Sequence, residues 1–116
     1  MKVIICGSRH GLPEGVTIQD GVDASGFEVT EVVHGAAPGV DHEAGKWAFG
    51  RGIPYTYFES DWVAHGKAAG PIRNKAMAEY AEACIAFPGG AGTRNMVKQA
   101  REHGLHVYLQ GWVDDE

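Results

Sequence analysis

The segment Ala83-Cys84-Ile85-Ala86-Phe87-Pro88-Gly89-Gly90-Ala91-Gly92-Thr93 changes character twice. Ala83–Phe87 is a short apolar run closed by turn residues, the pattern of a buried strand. Arg94–His103 has helical spacing, with Met96, Val97 and Ala100 on its apolar side. A glycine-rich turn therefore joins the carboxyl end of a strand to the amino end of a helix. Glycines let backbone N–H groups approach a ligand without interference from Cβ. A helix start adds unpaired N–H groups and a partial positive charge. Together these suit a phosphate, with Gly89, Gly90, Gly92 and Thr93 as the cradle. A plain tight turn with Thr93 as a helix cap explains the same residues taken alone.

The arrangement recurs. Lys2-Val3-Ile4-Ile5-Cys6 is a near-continuous apolar run, as in a parallel strand covered on both faces. It ends at Gly7-Ser8-Arg9, which offers a hydroxyl and a permanently charged planar fork. Glu28–His34 is a valine-rich strand. His34-Gly35-Ala36-Ala37-Pro38-Gly39-Val40-Asp41 follows as a second glycine-containing turn into a helix. That helix carries Val40, Ala44, Trp47 and Ala48 on one face and stops at Gly50-Arg51-Gly52. Asp41 lies in its first turn, where the helix dipole favours a carboxylate by ~0.3–1 kcal/mol. Binding a ribose hydroxyl or steering a water are the alternative roles for it.

Ile53–Phe58 reads as a third strand and Glu59–Lys67 as a polar loop holding Asp61, Trp62, His65 and Lys67. A helix is predicted from about Pro71 to Glu82, with Pro71 at its first position and Ile72, Ala76, Tyr80 and Ala83 as its buried stripe. Arg73, Asn74 and Lys75 put two cations near the helix start, which the dipole disfavours. A bound anion offsets that cost. Leu105–Leu109 is a fifth strand. Between His10 and Gly26 the apolar residues are scattered among glycines, and only a short, irregular helix is expected.

Strands alternating with helices predict an α/β fold: a Rossmann-like doubly wound sheet of about five mainly parallel strands, with helices on both faces. Ligands of such sheets sit beyond the carboxyl ends of the strands, where the strand order reverses. Gly7-Ser8-Arg9, His34–Asp41 and Pro88–Thr93 all lie at those ends, so one crevice is expected to collect them.

The 116 residues fit one domain, 1–116, with 110–116 as an acidic tail containing Trp112. No apolar run is long enough for a membrane-spanning helix, and no secretory leader opens the chain. Cys6 and Cys84 both lie in apolar runs and read as buried free thiols, so the cytoplasm is the expected compartment. The net charge of −5, without a basic block, argues against a nucleic-acid partner. His34, His42 and His65 lack the paired spacing of metal ligands, so neither a metal nor a resident cofactor is expected.

Four blocks in order carry a family resemblance: Gly7-Ser8-Arg9, His34–Asp41, Ala68-Ala69-Gly70-Pro71-Ile72-Arg73-Asn74-Lys75-Ala76-Met77, and Pro88–Thr93. Together the chain resembles a small SLOG-superfamily domain of the YspA-like group, found in bacteria and phages. For a phage-encoded chain the compartment is the host cytoplasm. Relatives in the superfamily include LOG-type phosphoribohydrolases, the DNA-processing protein DprA, and sensors of nucleotide-derived signals. The resemblance implies a homo-oligomer, for which the helical face with Met77 and Tyr80 is a candidate surface. The LOG pattern Pro-Gly-Gly-x-Gly-Thr-x-x-Glu implies a glutamate where this chain has Met96. Arg73 matches the arginine that serves N-glycosidic cleavage in those enzymes.

Three functions follow. The first is a binding module or sensor for a nucleotide or ribose phosphate. Its site is Gly7, Ser8, Arg9, Gly35, Gly39, Asp41, Arg73, Asn74, Gly89, Gly90, Gly92 and Thr93, with Trp62 against a base. The second is hydrolysis of a nucleoside monophosphate to free base and ribose 5-phosphate, with Arg73 and Asp41 as the catalytic pair in place of the missing glutamate. The third, by analogy with DprA, is nucleic-acid processing, which the acidic charge disfavours.

Overall fold

A computed structural model describes residues 1–113 of the chain. In chain order its elements are β1 (Lys2–Cys6), α1 (Ile18–Ser25), β2 (Glu31–His34), α2 (Val40–Gly50), β3 (Tyr55–Tyr57), α3 (Trp62–His65), α4 (Ala69–Tyr80), β4 (Ala83–Ala86), α5 (Ala91–Glu102) and β5 (His106–Leu109). The five strands form one parallel sheet in the order β3-β2-β1-β4-β5. This is the doubly wound α/β fold expected from the alternation of apolar runs and helical spacing. The order reverses between β1 and β4, whose register pairs Cys6 with Ala86 at their carboxyl ends.

Strand side chains alternate between two cores. Val3, Ile5, Val32, Ile85 and Phe87 pack with Ile18 of α1 and with Val40, Ala44 and Ala48 of α2. Ile4, Cys6, Val33, Cys84 and Ala86 pack on the other face with Met77 and Ala78 of α4 and Met96, Val97 and Ala100 of α5. The helices therefore cover both faces, which is why the central strands β1 and β4 are apolar at every position after Lys2. Cys6 and Cys84 are buried free thiols with Sγ atoms 4.0 Å apart.

Several local expectations need correction. The helix before β2 is regular: Thr17 and Asp20 cap it reciprocally. Gly21 sits inside that helix because a Cβ there would meet the Phe87 ring at 2.6 Å. Close packing, rather than chain breaking, accounts for it. The segment 59–67 is not wholly loop, since Asp61 caps the one-turn α3 and a 3₁₀ turn, Gly66–Ala68, leads into α4. α4 starts at Ala69, so Pro71 is its third residue, still within the first turn where no N–H partner is lost. Ile72 is 47% exposed, and Ala69, Met77 and Ala78 form the buried side instead. Met77 is core, while Tyr80 is half-buried with its hydroxyl bonded to Glu31. Trp112 packs against the second core and donates to the Ala86 carbonyl at 2.8 Å; residues 114–116 of the acidic tail lie outside the described residues.

Candidate functional site

The loops after β1, β2 and β4 meet along one rim. The Ser8 N–H donates to the Pro88 carbonyl and the Val40 N–H to the Ser8 carbonyl, both at 3.0 Å. The Thr93 hydroxyl donates to the Gly7 carbonyl at 2.9 Å. Gly39 adopts φ +82°, and its Cα lies so close to the Ser8 carbonyl that a Cβ has no room. Gly89 is held equally tightly between Thr93 and Gly7. The Ser8 hydroxyl accepts the His10 N–H and closes its own turn. These residues frame the crevice.

Gly7, Arg9, Asp41, Arg73, Asn74, Gly90, Gly92 and Thr93 line a cavity of about 160 Å³ at the switch point between β1 and β4. It continues, past Arg9 and Arg73, into a wider cavity of about 350 Å³ bordered by Gly35, Ser60 and Trp62. Every residue of the expected site therefore either lines this crevice or fixes its walls. Sequence reading missed Ser60, whose hydroxyl is buried without a hydrogen-bond partner, because nothing distinguishes it from an ordinary loop serine.

Thr93 is not the helix cap. Gly90 takes that position, and no side chain caps the first turn of α5. Arg73 donates through Nε to Asn74 Oδ1 at 2.8 Å and through Nη1 to the Gly35 carbonyl at 2.5 Å. Asn74 in turn donates to the Gly92 carbonyl and to Asn95, which ties α4 to the start of α5. Arg9 and Arg73 form no direct ion pair among the described residues. Burial pushes the Arg73 guanidinium below its ordinary value, with Asp41 opposing the shift. Asp41 Oδ2 accepts the Gly35 and Ala37 N–H groups at 3.0 and 3.4 Å, folding the β2–α2 loop around itself. Burial raises its pKa, against the pull of those amides and of Arg73 and Arg9. Two arginines and an uncapped helix start thus face one cleft, an arrangement suited to an oxyanion, with the buried Asp41 carboxyl beside them.

Residues 1–65 match the family described as YspA, cpYpsA-related SLOG family. The chain belongs to that family. The SLOG match carries Gly7-Ser8-Arg9 and His34–Asp41 and stops before Arg73 and the turn at Gly89–Thr93. The chain is also similar to the gene 61 protein of Mycobacterium phage D29, 42% identical over 84 residues that span 66% of this chain and 67% of the relative. No solved structure matches. Among the described residues no helix is long and apolar enough to cross a membrane.

Proposed function

We propose that this SLOG protein binds a nucleotide or nucleotide-derived ribose phosphate in the crevice between β1 and β4, as a sensor or binding module. Family membership supports a nucleotide-related role in general terms. The observation that carries the finer reading is the placement of Arg9 and Arg73, without direct ion-pair partners among the described residues, beside the uncapped start of α5. Gly90, Ala91 and Gly92 supply amides, and the arginines supply charge-assisted bonds, each about twice a neutral one in strength. Asp41 is the acceptor for a ribose hydroxyl, and Trp62, 55% exposed, offers a ring at the edge of the outer cavity.

A thermal-shift panel of nucleotides, cyclic nucleotides, ADP-ribose derivatives and sugar phosphates tests this. A ligand at a hundred times its dissociation constant adds ~2.7 kcal/mol of stability. Stabilisation abolished by Arg73→Ala supports the reading. A panel in which no phosphate compound stabilises the protein overturns it.

A phosphoribohydrolase is the second reading, favoured by Asp41 and Arg73 lining one cavity. Against it, Met96, at the position of the LOG glutamate, is 1% exposed and packed in the core. Release of free base from nucleoside monophosphates separates the two readings.

A further inference from the structure

Beside the crevice, on the far side of the β2–α2 loop, lies a groove of about 520 Å³ lined by His34, Gly45, Lys46, Phe49, Tyr55 and Tyr57. It is built differently from the crevice. Tyr55 and Tyr57 project from the edge strand β3 and stack on the His34 ring, with centroids 6.0 and 5.9 Å away and planes within 22° and 19°. Phe49, Tyr55 and Tyr57 are 76%, 43% and 56% exposed, so the walls are open aromatic surface.

The floor is polar. His34 is 7% exposed, and its Nδ1 accepts the Ala36 N–H at 3.0 Å. With Nδ1 an acceptor, the neutral ring carries its proton on Nε2. Among the described residues no acceptor meets that Nε2–H, and it is not one of the side-chain atoms sealed from solvent, so the donor opens on the groove that His34 lines. Gly45 lies opposite Nε2: a Cβ there would stand 3.0 Å from it. A glycine inside a helix costs about 0.5–1 kcal/mol relative to alanine, and here its absent side chain leaves room beside the donor. Exposed rings around one unanswered donor suit a flat ligand with an acceptor on its edge. Lys46 and His42 at the border suit electron-rich groups. Ala36 and Ala37 line both this groove and the outer cavity of the crevice, so the β2–α2 loop is the wall between the two.

We propose that this groove is a separate subsite for a planar heteroaromatic ring of the nucleobase class, stacked on Tyr55 and Tyr57 and accepting a hydrogen bond from His34 Nε2–H. Nucleosides lack phosphate and probe it independently of the crevice. Adenosine, guanosine, cytidine and uridine are titrated into the ¹⁵N-labelled protein, with ribose 5-phosphate as a parallel probe of the crevice. Saturable shifts of the Ala36, Gly45, Lys46, Tyr55 and Tyr57 amides with at least one nucleoside are expected. Tyr57→Ala and Phe49→Ala, both at exposed positions, weaken that nucleoside by about tenfold or more while leaving ribose 5-phosphate shifts at Gly90–Thr93 in place. Unmoved groove amides, or undiminished nucleoside affinity in both variants, overturn the subsite. So do groove amides that move with protein concentration alone, which assigns the surface to a second copy. Failure of ribose 5-phosphate to shift Gly90–Thr93 counts against the crevice reading and leaves the groove result standing.

Discussion

The Thr93 hydroxyl, on the first turn of α5, donates to the carbonyl of Gly7 at the end of β1, across a separation of 86 residues. That bond fastens the glycine-rich turn to the neighbouring loop and fixes the width of the crevice between them. Thr93→Val keeps the shape and leaves the Gly7 carbonyl unanswered near the protein interior. A loss of about 1–2 kcal/mol is expected from the urea midpoint, with a weaker ligand-induced thermal shift as a second consequence.

Gly35 lies between two charged groups. A Cβ on it would collide with the Arg73 guanidinium and approach Asp41 Oδ2 at 2.9 Å. Gly35→Ala therefore pushes Arg73 off the Gly35 carbonyl. Overpacking of this kind costs about 1–3 kcal/mol, and the variant is expected to lose ligand-induced stabilisation as well. A variant as stable as the parent, with its ligand shift intact, contradicts this account of the loop.

Ala36 holds φ +59°, a left-handed conformation that costs a residue with a Cβ about 1–2 kcal/mol. Ala36→Gly removes that strain but adds about 0.4–1 kcal/mol of freedom to the unfolded chain. The strain is the larger of the two, so the variant is expected to be more stable by about 0.5–1 kcal/mol in denaturant unfolding.

Burial, with the charge of His42 second, holds the His34 imidazole below its ordinary pKa of 6.5. The folded protein then binds fewer protons at this site than the unfolded chain. The resulting stability is present above pH 6.5 and is lost as pH falls through the lower, folded value. His34→Asn keeps an acceptor for the Ala36 N–H but does not titrate. The stability difference between parent and variant is expected to shrink as urea unfolding is moved from pH 7.5 towards mild acid.

Much of this was legible in the chain. Lys2–Cys6 and Ala83–Phe87 announced buried parallel strands because both faces of the sheet are covered. The three turns converged as expected because strand polarity alone brings their carboxyl ends to one rim. Boundaries failed where tertiary contacts override local signals. Gly21 and Ile72 are the clearest cases: Gly21 belongs to a helix because Phe87 needs the space, and Ile72 faces outward because α4 packs through Ala69, Met77 and Ala78, a choice of face that only tertiary contacts decide. The aromatic groove was invisible for a similar reason. Tyr55 and Tyr57 meet His34 only through the β2–β3 register, which no local pattern encodes.

The central claim is that Arg9, Arg73 and the start of α5 hold a phosphate. A crystal structure with the most stabilising compound of the panel tests it most directly. The account predicts a phosphate within hydrogen-bonding distance of the Gly90–Gly92 amides, with both arginine side chains turned onto it. A ligand bound on another face, with Arg73 still resting on the Gly35 carbonyl and the crevice empty, contradicts it.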